Sequence, residues 1–293
     1  MNLDFGFRLD RGHRGAPRLL PAVLVGWQNL PCFCQNGPHL NLQYLVCTPE
    51  YEGAMTPNRE AQMLFTHRNP EMELDHKRTA LVLVDMQNEF FEEKTGTYYE
   101  LIADSLKERN VISHTEQLLK TAQELGYYIL HSPHWYYPTD LQWVVPGGAI
   151  AHYLGGIGFC GRKDPVDLEG FAHSRADYYE PFKKYLMDGR TCNTSPHKHF
   201  GTMANDMVKQ LRMRKVEKVI MAGPAANICL ESHMRDLIEA GFEVAMVRDA
   251  VAGPKNEEGD GYVAAMVNWR FMANGLWTTE EAVNKMKAAA TAA

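Results

Sequence analysis

Over the first ~76 residues, apolar and polar positions follow neither a 3.6 nor a 2.0 period, and Pro, Asn, Gly and Arg are scattered throughout. The pattern changes at "TALVLVDMQNEFF", which begins at Thr79. Ala80 to Val84 is an unbroken, β-branched-rich apolar run, the mark of a strand covered on both faces. "VISHTEQLLKTAQELG" follows with helical spacing: Ile112, Leu118, Leu119, Ala122 and Leu125 share a face, and Gly126 is a natural stop. "YYILHS" reads as the next strand. Residues 136–190 then lose all periodicity and become rich in Tyr, Phe, Trp, Gly and Pro.

Helical spacing resumes in "NDMVKQLRMRK". A strand ("VEKVIMAG"), a helix ending at Gly241, a strand ("FEVAMVRDA") and two further helices complete the chain. The last helix opens with a capping box from Thr278 and Glu281. Strands alternating with helices predict a three-layer α/β/α domain on a mostly parallel sheet, with sites outside the carboxyl ends of its strands. The expected organisation is an irregular extension over residues 1–76 and one domain over 77–293, carrying an aromatic-rich insertion at about 136–190.

Composition narrows the partners. The net charge is −6 and no basic stripe exists to track a phosphate backbone, so nucleic acid is excluded as an expected partner. No run approaches the roughly 18 apolar residues of a membrane span. Six cysteines at irregular spacing make no disulfide framework, which points to reduced thiols and a cytoplasmic setting. The basic segment before the apolar run Leu19 to Trp27 loosely imitates a secretion signal, but Pro21 interrupts it and no clean cleavage site follows.

The chemistry concentrates at two strand ends. Asp85 follows the first strand directly. Cys229, in "GPAANICLESH", lies in the first turn of a helix just past another strand. Lys198, in "SPHKHF", precedes a further helix. A cysteine at a helix N-terminus gains from the dipole and from free N–H groups, and a nearby lysine adds to this, while Asp85 and burial oppose thiolate formation. Taken singly, each residue also fits a plain role: packed cysteine, turn-capping aspartate, solvated lysine.

Together, "VLVDMQNEF", the lysine before an aromatic, and "AGPAANICLESHMRDLIEAGFEVAMVRDA" resemble the isochorismatase-like cysteine hydrolases, a family that includes nicotinamidases, N-carbamoylsarcosine amidohydrolases and ureidoacrylate amidohydrolases. The resemblance covers about residues 79–262. It implies a catalytic triad of Asp85, Lys198 and Cys229, and a cis peptide between Pro224 and Ala225. It also implies an oxyanion hole from the N–H groups of Ala225 and Cys229, and a pocket-wall aromatic at Phe90; Trp135, Tyr136 and His233, the last where the family often has threonine, are the further candidate substrate-binding residues.

The sequence departs from that pattern at Ala226, where threonine is usual, and at His134 and Tyr136, where nicotinamidases place metal ligands. His131 and His134 without a neighbouring carboxylate are weak metal evidence. No metal and no cofactor is expected. The expected activity is hydrolysis of a C–N bond in a small amide or ureide through a thioester, in a homo-dimer or tetramer. The alternatives are an ester, lactone or vinyl-ether hydrolase on the same fold, and a silent binding or assembly member.

Overall fold

The computed structural model describes residues 72–144 and 158–293; most of the irregular N-terminal segment and part of the aromatic insertion lie outside them. The elements follow in chain order as β1 (Thr79–Val84), α1 (Asn88–Phe91), α2 (Tyr99–Glu108), α3 (Val111–Leu125), β2 (Tyr128–Ser132), α4 (Glu180–Leu186), β3 (Cys192–Asn193), α5 (Met207–Met213) and β4 (Lys218–Gly223). A π-helical turn (Ala226–Leu230) leads into α6 (Glu231–Glu239). Then come β5 (Glu243–Val251), a small hairpin of β6 (Lys255–Asn256) and β7 (Gly259–Asp260), α7 (Gly261–Met272), β8 (Gly275–Trp277) and α8 (Thr279–Thr291).

Six strands form one sheet in the order β3-β2-β1-β4-β5-β8, parallel at every pairing. β1 sits near the centre and all six of its residues are buried, as its unbroken apolar run requires. The alternation of a strand sorts its side chains between two cores. Leu81 and Leu83 pack on one face with Leu118, Leu119 and Ala122 of α3 and Val283 and Met286 of α8. Ala80, Val82 and Val84 pack on the other with Leu211 of α5, Met234 and Leu237 of α6, and Trp269 of α7. The predicted α/β/α layering is therefore present. Thr278 caps α8 with Glu281 as the sequence indicated.

Periodicity gave no sign of α1, α2, α4, the short strands or the β6–β7 hairpin, which are too short or too mixed to carry a period. The described part of the insertion is a wall of the domain. Phe159, Cys160, Ala176, Tyr178 and Phe182 are buried in the core on the α3 side. Among the described residues, no helix is long and apolar enough to cross a membrane.

The core includes a residue before the predicted boundary: Met72 is 2% exposed and packs into the first core. A chain starting at Met72 is expected to express as folded, soluble protein with a single cooperative unfolding transition. Insoluble protein from that chain alone would show that residues 1–71 are needed for the fold.

Candidate active site

β1 and β4 are neighbours, with Leu83 opposite Ala222. Their chains therefore leave the sheet side by side. Gly223 makes this possible: its φ is +148°, and a Cβ there would stand 2.4 Å from the Val84 carbonyl oxygen. Asp85 turns sharply out of β1 with φ 62°, a conformation Asp tolerates better than most residues. After β4 the reversal uses Ala225 at φ 57°, and Ala226 N–H donates to the Ala252 carbonyl at 2.8 Å.

No cis peptide occurs among the described residues, so the expected cis bond between Pro224 and Ala225 is absent. Successive positive φ angles at Gly223 and Ala225 turn the chain instead. The Ala225 N–H has no acceptor among the described residues, which leaves it available to a ligand.

Cys229 lies in the π-helical turn, 4% exposed, and Asp85 is fully buried. The ligand atoms of Asp85, His134, His197 and Cys229 all lie within 4.8 Å of one another. Asp85 Oδ1 is 3.2 Å from His197 Nε2. The thiol points to the His199 carbonyl, at 3.9 Å. Burial raises the Asp85 pKa to about 6, and burial together with the Asp85 charge raises the Cys229 thiol well above its ordinary value. The pull of the helix N-terminus on the thiol is thus outweighed.

The structure brings Asp85 and Cys229 together and leaves Lys198 out. Lys198 Nζ donates to Asp140 at 2.6 Å and lies 3.9 Å from the centre of the Tyr137 ring. The reason is alternation. His197 N–H donates to the Pro133 carbonyl, and His197 bridges in parallel to His134, so this stretch runs as an extended extra strand. In such a segment neighbouring side chains point opposite ways. His197 faces Asp85, and Lys198 faces the other way, toward Asp140 and Tyr137.

The same alternation sorts the predicted pocket wall. His134 and Tyr136 face the cluster, with rings 4.9 Å apart. Trp135 faces away: its Nε1–H donates to the Ala176 carbonyl at 2.8 Å, and Arg162 stacks on its ring. Phe90 is buried one ring removed, against Phe159, which in turn packs on His134. His233 lies behind Cys229, its Nδ1–H donating to the Cys229 carbonyl at 2.8 Å. A cavity of about 680 Å³ lies beside the turn, lined by Tyr98, Asn227, Ile228 and Pro254 among others, but neither Asp85 nor Cys229 opens into it. Sequence reasoning did not single out His197, Asp140 or Ser132. The signal for His197 was its place beside Lys198 in "SPHKHF".

Four buried histidines give the site a pH signature. Burial lowers the pKa of His131 to about 4 and of His134 to about 3, and it also lowers those of His197 and His233. The unfolded chain protonates these groups below about pH 6.5, while the folded chain refuses the protons. Their contribution is complete above pH 6.5 and is lost as pH falls toward 4. Asp85 runs the other way, since below pH 6 the folded chain keeps a proton there that the unfolded chain releases; it offsets one histidine of the four. Unfolding free energy from urea titration in chelator-treated buffer is expected to drop by at least about 2 kcal/mol between pH 7 and pH 5. A flat profile would mean that the folded chain holds these imidazoles protonated.

Residues 79–281 match the Isochorismatase domain family. The chain belongs to the isochorismatase family. Among curated relatives of this isochorismatase-family hydrolase is the ureidoacrylate amidohydrolase RutB of Rhizobium rhizogenes, 23% identical over 205 residues that span 68% of this chain and 80% of that protein. RutB of Caulobacter segnis is 23% identical over 206 residues, 69% of this chain and 84% of that protein. Among solved structures, a cysteine hydrolase from Pseudomonas syringae pv. phaseolicola superposes with a TM-score of 0.60 at 18% identity, covering 75% of this chain and 97% of that one. The nicotinamidase PncA of Bacillus subtilis gives 0.51 at 16% identity, covering 69% and 99%. These structures share the family's fold.

Proposed function

We propose that the protein hydrolyses a C–N bond of a small amide or ureide, with Cys229 as nucleophile and Asp85 as its proton acceptor. The observation that carries this reading is the meeting of Asp85 and Cys229, both buried, at the carboxyl ends of adjacent parallel strands. The relatives named as ureidoacrylate amidohydrolases supply the substrate class.

The proton moves first. A thiol with a raised pKa is not ionised in the resting site, so it must lose its proton as it attacks. Asp85, with a pKa near 6, is a carboxylate at neutral pH and basic enough to take that proton. The carboxylate and the thiol already act on each other in the resting site, each shifting the other's pKa. Once protonated, Asp85 donates to His197 Nε2, 3.2 Å away. His197 thus supports the protonated carboxyl where the family pattern had implied Lys198.

The thiolate attacks the carbonyl carbon, and the N–H groups of Ala225 and Cys229 receive the oxyanion. The Asp85 proton passes to the departing nitrogen, the C–N bond breaks, and a thioester remains on Cys229. Asp85 then takes a proton from water, which attacks the thioester; the acid leaves and the thiol is restored.

The test is a panel of ureides, primary amides, esters and lactones, monitored for ammonia and for acid release. Ureide or amide turnover supports the reading. Turnover confined to esters, lactones or vinyl ethers would replace it with the corresponding hydrolase.

A further inference from the structure

The hydrogen bonds around the Asp85–Cys229 cluster fix where its protons are. His134 Nε2 lies 3.1 Å from the Lys198 carbonyl, which can only accept, so Nε2 carries the proton and Nδ1 is a bare lone pair. His233 Nδ1 lies 2.8 Å from the Cys229 carbonyl, so its proton is there and its Nε2 accepts from the Ser132 hydroxyl at 2.8 Å. That hydroxyl has then spent its only proton. It accepts from Asn205 Nδ2 at 2.8 Å, an amide whose orientation is set by Met207 N–H donating to its Oδ1. The remaining neighbour of Ser132 Oγ is His197 Nδ1, at 3.0 Å, which must therefore donate. His197 Nε2 is left as a second bare lone pair, aimed at the Asp85 carboxylate.

Both Asp85 oxygens, His134 Nδ1 and His197 Nε2 are buried without a hydrogen-bond partner among the described residues. Buried polar atoms are rarely left so, because each has given up its hydration for nothing in return. Protons alone cannot settle the cluster. A thiol proton and a carboxyl proton supply two donors, and His134 Nδ1 still has none. A dication gives both imidazole lone pairs and one carboxylate oxygen a partner at once.

We infer that Asp85, His134, His197 and Cys229 form a four-coordinate binding site for a divalent zinc-like metal ion. The donor set fits: one thiolate and two imidazoles favour zinc and cobalt over magnesium or calcium. The charges also fit, since one carboxylate and one thiolate neutralise the ion in a buried place. The outward nitrogens of both histidines are held by Lys198 O and Ser132 Oγ, the support that fixes an imidazole for metal binding. The ligand atoms are spread by up to 4.8 Å, and closure to a tetrahedral edge needs a contraction of about 1 Å. On binding, the Cys229 thiol proton is released to water and the sulfur becomes a ligand.

Four protein ligands leave the ion no open position, which is the form of a closed site and not of a hydrolytic one. The metal and the thioester route compete for the same sulfur. This consequence rests on the proposed function; the metal site itself does not.

The full-length protein, stripped with chelator, is titrated with zinc against a chromophoric chelator and separately with cobalt. One equivalent per chain is expected, with a thiolate-to-cobalt charge-transfer band in the near ultraviolet. Cys229→Ser should abolish that band, and His134→Ala and His197→Ala should each weaken zinc binding by roughly a hundredfold. His134→Gln serves if alanine unfolds the chain, which near-ultraviolet circular dichroism monitors. Absence of stoichiometric binding at micromolar zinc, or binding indifferent to both histidines, overturns the site. On the activity side, zinc should inhibit turnover and chelator restore it. Activation by zinc overturns the closed, competing role while the binding titration still stands by itself.

Discussion

Replacing Cys229 with alanine is expected to abolish turnover, by at least about 10⁴-fold in kcat, while leaving the fold intact. The magnitude follows from the mechanism: without sulfur no thioester can form, and only binding and the N–H groups of the turn remain to favour direct attack by water. The loss belongs to kcat, because the thiol bonds to carbon only after substrate is seated. Structural cost is small, since one buried sulfur atom is removed from a turn held by backbone bonds such as Ala226 N–H to Ala252 O. Cys192→Ala, at a distant strand, should leave kcat unchanged. Equal losses in both variants, or wild-type turnover in Cys229→Ala, would count against a covalent route.

Asp85→Asn and Lys198→Ala are expected to separate by orders of magnitude. The asparagine is isosteric and keeps the turn out of β1, but it cannot take the thiol proton. A general base contributes roughly 10²–10⁴-fold, and kcat should fall by that amount. The acidic limb of the pH–rate profile, set in the wild type by a group near pH 6, should vanish with it. Lys198 is paired with Asp140 and makes no contact with Asp85 or Cys229 in the structure. Its removal should change kcat by less than about tenfold. The main effect should be a stability loss of roughly 1–3 kcal/mol, from a buried Asp140 left with the Tyr137 N–H but no cation. If Lys198→Ala matched Asp85→Asn in kcat, Lys198 would have to act on the Asp85–Cys229 pair after all. Steady-state kinetics with urea denaturation of each variant decides it.

The positions of Asp85 and Cys229 could be read in the sequence because strand ends are the most secure feature of an α/β chain. Buried parallel strands read as unbroken apolar runs, and "ALVLV" and "VIMAG" are such runs. Whatever follows them emerges at one edge of the sheet. Lys198 could not be placed in the same way. It sits in an irregular segment whose extended conformation depends on pairing with His134, a contact made across the fold. A shift of one residue exchanges His197 for Lys198.

The ligand set was hidden for a similar reason. His134 was seen without a carboxylate beside it in sequence, yet its carboxylate is supplied by Asp85 at the end of a neighbouring strand and its second histidine by residue 197. The turn before Cys229 was expected to need a cis bond. Gly223 and Ala225 at positive φ achieve the reversal, and no local pattern distinguishes the two solutions.

Rapid-quench mass spectrometry of the metal-free protein, mixed with the best amide or ureide from the substrate panel, tests whether Cys229 is acylated. A single acyl adduct is expected on the peptide that carries Cys229. The adduct should form within one turnover, decay as acid appears, and be missing in Cys229→Ala. Full release of product in the first turnover, with unmodified protein at every time point, would contradict it.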